Sequence, residues 1–299
     1  MATMSDQKER EVFESQGMLN AVVHSIPSLR EHHACTSSTY AALSLAAKHA
    51  VRVLFGEDGP QRGQIGSLGE IQLPFTSMGA IKSTDLFGLD ELMLFAYYAL
   101  NTGKYRRVAD IGANIGLHSM ILTKLGFSAE CFEPDPVHLR LLRRNLTLNG
   151  LEGRLTIHQA AVSNEAGTVE FCRVLGNTTG SHIVGVKGAP YGELEKFTVP
   201  AVDIRQIMNR FDFLKMDVEG HEATLLEATR QEDWQGRDAV VEIGTPDNAR
   251  RVFEHLRSIG VNMFAQKISW NRVLSVDQVP TSHREGSVFL STAAVMEWQ

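Results

Sequence analysis

VADIGANIGLHSMILTKLGFSAECFE, from Val108 to Glu133, is the stretch that decides the fold. Short apolar residues lead into Asp110, and glycines follow at Gly112 and Gly116. Apolar residues then recur at helical spacing before a second apolar run ends in an acid. This pattern predicts one β-α-β unit. Its glycines let the backbone turn tightly and approach a ligand, while the new helix directs free N–H groups at that ligand.

Glu133 lies 23 residues after Asp110, about where a carboxylate binds both hydroxyls of a ribose. The ligand is therefore predicted to contain a nucleoside. A dinucleotide site requires G-x-G-x-x-G, but Asn114 and Leu117 occupy its second and third glycine positions, and a G-x-x-x-x-G-K phosphate loop is absent. S-adenosylmethionine (SAM) has a ribose and no phosphate, so a loop that binds it can carry side chains at the second and third glycine positions. An ordinary α/β turn without a cofactor is the alternative.

Within this site, Asp110 is a candidate partner for the ammonium group of SAM, and backbone N–H groups of the loop suit its carboxylate. Pro134 directly follows the proposed ribose ligand. Ala160 and Ala161 end a third predicted strand at the carboxyl edge of the sheet, where open α/β sheets bind their ligands. Small residues there would admit the flat adenine ring.

A second dense stretch is FDFLKMDVEGHE, residues 211–222. Asp217 ends a predicted buried strand on the same sheet edge as Asp110, and Glu242 ends the next strand, so the two should face each other across a cleft. Acids and His221 at a helix start can also be simple dipole complements. The predicted cofactor-binding residues are Asp110, Gly112, Asn114, Gly116, Glu133, Pro134, Ala160, Ala161 and Asp217.

Composition limits the possible partners. The 299 residues are 43% hydrophobic, enough for one large α/β domain with an accessory part. A net charge of -6 argues against a nucleic-acid partner, which normally needs a basic stripe. No apolar run approaches the roughly 20 residues of a membrane helix, and the polar start is unlike a signal peptide, so we predict a cytoplasmic protein without membrane contact. Three scattered cysteines indicate neither disulfides nor zinc.

The chain is predicted to divide into an N-terminal, mainly helical extension at residues 1–84 and a catalytic domain at 85–299. The extension is a candidate cap or homo-oligomer contact. Asp90 is predicted to cap the helix that precedes the first strand. Residues 77–87 are predicted to form either a pocket wall or a plain surface loop.

An insertion is predicted at residues 167–202, where two strand patterns flank a stretch rich in glycine and small polar residues. A connection of this length is usually functional or disordered. We interpret it as a hairpin with a mobile acceptor loop, in which Ser181, His182 and Tyr191 are candidate contacts; a merely flexible loop is the alternative.

GANIG followed by FEPDP, with LKMDVEGHE about 80 residues later, resembles the FkbM family of SAM-dependent methyltransferases. The match covers roughly residues 85–243. The resemblance implies an α/β, class I methyltransferase fold: a Rossmann-like, doubly wound sheet of seven mostly parallel strands whose last strand is antiparallel. MFAQKISW and GSVFLSTAAV fit its two closing strands. The resemblance also implies methylation of a hydroxyl on a sugar or natural-product small molecule.

An alcohol acceptor must lose its proton, which requires a nearby base. His221 is the first candidate because histidine has a pKa near neutrality. Asp217 and Glu242 are alternatives, either as the base or as groups that orient the acceptor. These groups could also hold a divalent cation, but the carboxylates lack clear coordination spacing, so no metal site is predicted.

Two other functions stay open. An amine is the main alternative acceptor, although the NPPY or DPPY signature of enzymes that methylate amide or adenine nitrogens is replaced here by KMDVEG. A non-catalytic SAM-binding protein is the third possibility. Intact acids and glycines in both motifs argue against it.

Overall fold

The computed structural model describes residues 4–185 and 193–298; Tyr191, a predicted acceptor contact, lies outside them. The α-helices are α1 (Met4–Ser25), α2 (Ser38–Phe55), α3 (Leu89–Leu100), α4 (Leu117–Lys124), α5 (Pro136–Leu148), α6 (Ile204–Met208), α7 (Glu222–Glu227) and α8 (Pro246–Ser258). Short 3-10 helices span Ile26–His32, Gly66–Leu68, Ser83–Phe87, Thr178–Gly180, Gln231–Trp234, Gln266–Ile268, Val276–Gln278 and His283–Glu285.

The strands are β1 (Arg62–Gln64), β2 (Glu70–Gln72), β3 (Arg107–Ile111), β4 (Ser128–Phe132), β5 (Thr156–His158), β6 (Ala161–Ser163), β7 (Gly167–Val174), β8 (His182–Ile183), β9 (Leu194–Asp203), β10 (Phe213–Met216), β11 (Asp238–Glu242), β12 (Asn262–Ala265), β13 (Asn271–Arg272) and β14 (Ser287–Ser291). Those of the main sheet lie in the order β13-β12-β14-β11-β10-β3-β4-β5. β5, β4, β3, β10 and β11 are parallel, and β14 pairs with β11 antiparallel.

The mostly parallel sheet with an antiparallel last strand is as predicted, but the strand count differs from the predicted seven. The described sheet has eight strands because the two-residue β13 pairs with β12 and extends the edge. The central strands are buried along most of their length, as expected for strands covered by helices on each side. One core cluster packs α3 and α4 on one face, and a second packs α7 and α8 on the other.

The N-terminal helices share the first of these cores. Leu19 of α1 and Val51 of α2 belong to the same buried cluster as Phe95 of α3 and Met120 of α4. The hydrophobic core is therefore continuous across residue 84. Among the described residues, no helix is long and apolar enough to cross a membrane.

A second, four-stranded sheet contains the predicted hairpin. β7 and β9 pair antiparallel from Gly167 to Val174, and the sheet order is β6-β9-β7-β8. The segment before α3 contacts this hairpin, because Gly79 forms an isolated bridge with Asn177. Gly79 has a φ of 94°, and a Cβ there would overlap the carbonyl oxygen of Gly176. The two backbones can approach this closely only because residue 79 is glycine.

The predicted cap at Asp90 is wrong. The helix begins one residue earlier, at Leu89, and its N-cap is Gly88. The carboxylate of Asp90 instead accepts hydrogen bonds from the Tyr40 hydroxyl at 2.9 Å and from the Gln266 amide. It is therefore used to join the N-terminal and C-terminal segments to α3.

Candidate active site

A cavity of about 580 Å³ lies at the carboxyl ends of β3, β4, β10 and β11. This volume is typical of small-molecule sites, and the location is the one where open α/β sheets bind ligands. Several predicted site residues line it, namely Gly112, Asn114, Glu133, Pro134, Ala160, Ala161, Asp217 and Glu242. Asp110, Gly116 and His221 do not line it.

The glycine loop forms one wall of the cavity. Gly112 has a φ of 79°, and a Cβ there would overlap the carbonyl oxygen of Asp217. The loop therefore needs glycine in order to cross the end of β10. Asn114 also has a positive φ, 53°, and its side-chain Oδ1 is buried without a hydrogen-bond partner among the described residues. A buried acceptor or donor of this kind normally has a partner, so the loop is suited to a polar ligand.

Glu133 faces this loop and is held by two backbone donors. Its Oε2 accepts from the N–H of Asn114 and its Oε1 from the N–H of Asp135, both at 2.8 Å. Its side chain is 6% exposed. Burial raises the pKa of Glu133 to about 8, although the two N–H donors oppose that rise. The carboxyl group is thus fixed in orientation on the cavity wall before any ligand binds.

Arg173 connects the hairpin to this wall. Its guanidinium donates to both carboxylate oxygens of Asp135, at 2.7 and 2.6 Å, and to Glu195 at 2.5 Å. Asp135 also caps α5 by accepting from the N–H of Val137. A buried bidentate ion pair of this kind fixes relative position strongly. It therefore aligns β7 with the loop that carries Glu133.

Asp110 lies beneath the glycine loop. Its side chain is fully buried, accepts from the Ser119 hydroxyl at 2.5 Å, and lies 3.8 Å from Nζ of Lys215. Nζ of Lys215 is also 3.5 Å from the Gly112 carbonyl and 3.6 Å from Asp217. Burial alone would lower the pKa of Lys215, but the carboxylates of Asp217 and Asp110 raise it above its usual value. Asp110 thus lies outside the cavity lining, and its Oδ1 has no hydrogen-bond partner among the described residues. The predicted direct contact of Asp110 with an ammonium group stays a prediction, and the observed contacts with Ser119 and Lys215 support the loop.

Gly116 has a packing role in the structure. It is the N-cap of α4 with a left-handed φ of 87°. A Cβ there would lie 2.6 Å from Cγ of Leu142 in α5. The absence of a side chain therefore lets α4 and α5 approach each other.

His221 is buried away from the lining of the cavity. Its Nε2 lies 3.3 Å from the Ser163 hydroxyl, and its Nδ1 has no hydrogen-bond partner among the described residues. Burial, with a smaller contribution from Arg251, lowers the pKa of His221 to about 4. A base of that pKa is weak at neutral pH. This position and this pKa do not favour His221 as the catalytic base, and that role stays a prediction.

Asp217 directly follows β10, Glu242 is the last residue of the adjacent parallel strand β11, and both line the cavity. Asp217 is paired with Lys215, whereas neither oxygen of Glu242 has a hydrogen-bond partner in the described part of the chain. Burial, then repulsion from the carboxylates of Asp217 and Glu91, raises the pKa of Glu242 well above its usual value. The protonated form of Glu242 is therefore favoured while the cavity holds no positive charge.

Carboxyl groups predominate among the ionisable side chains of the lining. Eight of its side chains carry carboxyl groups, and none of its described members is Lys or Arg. The eight are Asp85, Asp90, Glu91, Glu133, Asp217, Glu219, Glu222 and Glu242. Within residues 4–185 and 193–298, no group of three or more His, Cys, Asp or Glu side chains has the arrangement of a metal site.

Some lining residues were expected and others were not. Asp85 belongs to the segment predicted as a wall or surface loop, and Ser181 and His182 belong to the predicted acceptor loop; all three line the cavity. Glu91 was not singled out by the sequence. Glu91 is the second of two acids at a helix start, where acids commonly stabilise the helix dipole. Only its position on the cavity wall indicates a role in ligand binding.

Comparison with known proteins identifies the domain. A family model described as the methyltransferase FkbM domain matches residues 110–262, about half of the chain. Methyltransferase sdnD from Sordaria araneosa is 28% identical over 197 residues, which are 54% of this chain and 76% of that protein.

Two solved structures are also similar. Methyltransferase FkbM from Methylobacillus flagellatus KT has a TM-score of 0.39 and 14% identity, over 90% of this chain and 58% of that one. The chain therefore spans less than two thirds of that protein. A SAM dependent methyltransferase from Agrobacterium tumefaciens has a TM-score of 0.37 and 10% identity, over 68% and 61% of the two chains.

Proposed function

The chain belongs to the FkbM methyltransferase family, and on that premise we propose that it transfers a methyl group from SAM to a hydroxyl group of a small molecule. The observation that carries this proposal is the pairing of the glycine loop with Glu133 on the wall of one cavity. We also propose that the sheet is a class I methyltransferase sheet, with β5, β4, β3, β10, β11, β14 and β12 as its seven strands.

The residues present fit SAM. Glu133 offers a fixed carboxyl group for the ribose hydroxyls, since its oxygens keep acceptor capacity beyond the two backbone N–H bonds. Gly112 keeps the loop free of a side chain, and the unpartnered Oδ1 of Asn114 suits a polar group of the ligand. Pro134 and Ala160 supply a small, flat wall for adenine. SAM supplies a positively charged sulfonium that makes its methyl group electrophilic.

Glu242 is our proposed proton acceptor for the hydroxyl. It lines the cavity and has no hydrogen-bond partner among the described residues, so its carboxyl group is not committed to the fold. Repulsion from Asp217 and Glu91 contributes to its raised pKa. A cation bound in the cavity would oppose that repulsion and lower the pKa, so the carboxylate form is favoured when positive charge enters.

Calorimetric titration with SAM and, separately, with NAD tests the cofactor assignment. We expect binding of SAM in the micromolar range and no binding of NAD. Glu165→Gln should bind SAM as the wild-type protein does and serves as the control for later substitutions of cavity carboxyl groups, because Glu165 is exposed and outside the cavity lining. Absence of SAM binding by the wild-type protein would overturn the proposal. Hydroxyl methylation is then tested by mass spectrometry of sugar and polyketide alcohols incubated with SAM.

An amine acceptor is the second candidate, and the acidic lining favours it. The lining carries eight carboxyl groups and no Lys or Arg among its described residues, and those that are ionised, such as Glu91, would attract a protonated amine and repel an anionic acceptor. Matched substrates that differ only in a hydroxyl or an amino group, such as cyclohexanol and cyclohexylamine, separate the two candidates. Methylation of the amine alone would replace hydroxyl transfer with amine transfer.

A further inference from the structure

Glu91, in the first turn of α3, presents a carboxylate at the cavity wall that the fold uses on one side only. Its Oε2 accepts from Nε2 of His118 at 2.8 Å. Its Oε1 has no hydrogen-bond partner within the described residues, and the side chain is 28% exposed. One oxygen is therefore anchored while the other stays available to a ligand.

His118 is itself held rigidly. The hydroxyl of Tyr98 lies 3.0 Å from its Nδ1, and the rings of Phe95 and His118 pack edge to face with 4.9 Å between their centroids. When Tyr98 donates to Nδ1, the proton of the imidazole is on Nε2 and points to Glu91. Three side chains thus form a hydrogen-bonded chain from the core to the cavity, and this chain fixes the orientation of the carboxylate.

The position of this chain beside the glycine loop indicates which ligand group it would meet. His118 is the second residue of α4, which begins directly after the loop. Glu91 lines the same cavity as Asp217 and Glu242, which lie at the carboxyl ends of β10 and β11, and its charge contributes to the raised pKa values of Lys215 and Glu242. The positive charge of Lys215 lies closer to Asp217, at 3.6 Å, and to Asp110, at 3.8 Å. Glu91 is a lining carboxylate whose remaining oxygen lacks a cationic partner in the described chain.

We propose that Glu91 binds the ammonium group of the methionine portion of SAM, and that His118 and Tyr98 are positioning residues for it. This inference rests on the proposed function and takes the place of the contact predicted for Asp110, which is buried beneath the loop. Burial would raise the pKa of Glu91, but the adjacent His118 lowers it below its usual value, so the carboxylate is ionised at neutral pH and suited to a cation.

The test compares two ligands that differ in the amino-acid portion. S-Adenosylhomocysteine carries the ammonium group, whereas 5′-methylthioadenosine keeps the adenosine and the sulfur but lacks the amino acid. For Glu91→Gln we expect the Kd of S-adenosylhomocysteine to rise about 10- to 100-fold, because a charge-assisted contact is lost. The Kd of 5′-methylthioadenosine should stay within about twofold, which also shows that the cavity is folded.

Three variants make the comparison specific. Glu133→Gln should weaken both ligands, since both contain the ribose, and the exposed Glu165→Gln should weaken neither. Tyr98→Phe removes the hydroxyl that holds His118 and should raise the Kd of S-adenosylhomocysteine about 3- to 10-fold with little effect on 5′-methylthioadenosine. A purely structural role of Tyr98 would not change the ratio of the two Kd values.

The outcomes separate this inference from the proposed function. If wild-type protein binds both ligands and Glu91→Gln binds S-adenosylhomocysteine equally well, the role of Glu91 is overturned and the cofactor assignment stands. Equal weakening of both ligands by Glu91→Gln also overturns it, because the effect is then not on the amino-acid portion. If the wild-type protein binds neither ligand, the proposed function fails and the inference fails with it.

Discussion

Glu133 and Glu242 are carboxyl groups on the same cavity, and the chain supports them differently. Glu133 accepts from two backbone N–H groups, and its neighbour Asp135 is locked by Arg173. Glu242 ends β11 and has no hydrogen-bond partner in the part of the chain that the structure describes. Burial is the largest cause of the raised pKa at both groups. The next largest effect differs: at Glu133 two backbone N–H donors lower the pKa, whereas at Glu242 the charges of nearby carboxylates raise it further.

The difference separates a carboxyl group held in one orientation by backbone donors from one that no described donor holds. Fixed donors hold the Glu133 carboxyl group in one orientation, which lowers the entropy lost when a ligand binds. At Glu242 the proton is held by unfavourable electrostatics that a cationic ligand would relieve. We therefore assign Glu133 to cofactor affinity and Glu242 to proton transfer, and four measurements test this division.

The largest effect is expected for Glu242→Gln. Loss of the proton acceptor should lower kcat about 10²- to 10⁴-fold for a hydroxyl acceptor. The Kd of SAM should change little, because the amide has the same shape and the ribose contact is elsewhere. Steady-state kinetics combined with calorimetry measure both quantities, with Glu165→Gln as control. Full turnover in Glu242→Gln would remove this residue as the base.

Glu133→Gln should act mainly on affinity. Replacing a buried carboxyl group that contacts ribose hydroxyls should raise the Kd of SAM about 10- to 100-fold. At saturating SAM, kcat should recover to within a few-fold of wild type. Titration and kinetics on one preparation check this. Unchanged SAM binding would mean that the ribose lies elsewhere in the cavity.

The pH dependence of the reaction should also distinguish Glu242 from Glu133. If ionised Glu242 is the base, kcat/KM for SAM, which reports the free enzyme, should rise about tenfold per pH unit through the range above the usual carboxyl pKa, until the group is ionised. Activity is lost as the pH falls, because the raised pKa keeps the proton on the base. Glu242→Gln should lose this slope, and Glu133→Gln should retain it. A wild-type profile that is flat from about pH 5 to about pH 9 would contradict the assignment.

The smallest effect is expected for His221→Gln. The imidazole is buried outside the cavity lining and contacts Ser163, so its replacement should leave kcat within about twofold of wild type. Any loss should appear in the melting temperature instead. A kcat that falls about 100-fold with unchanged stability would restore His221 as the base.

Much of the site was predictable because it follows from strand ends. Parallel strands of an α/β sheet end at one edge, so the acids that follow apolar runs are brought together by topology alone. That rule placed Glu133, Asp217 and Glu242 on one cavity, and Gly112 followed from the need for a tight turn. The position of the strand ends does not predict which side chains point into the cavity. Asp110 precedes the turn and is covered by it, although its residue type suits a ligand equally well.

The walls that come from distant segments were less accessible to prediction. Glu91 lies in α3, before β3, and its hydrogen bond to His118 in α4 joins residues 27 positions apart in the chain. Ser181 and His182 reach the cavity through a hairpin that Arg173 attaches to Asp135. The bridge between Gly79 and Asn177 joins the N-terminal segment to the same hairpin. Such contacts depend on packing between elements, which periodicity does not encode.

The sequence by itself determined the β-α-β unit, the glycine turn and the order of the acids at the strand ends, because these depend on local periodicity and on glycine's backbone freedom. Only the tertiary structure decided that Asp110 and His221 lie outside the cavity lining while Glu91 lies on it. Side-chain direction and pKa depend on neighbours far away in the chain, which supply the burial, the charges and the hydrogen bonds that set them.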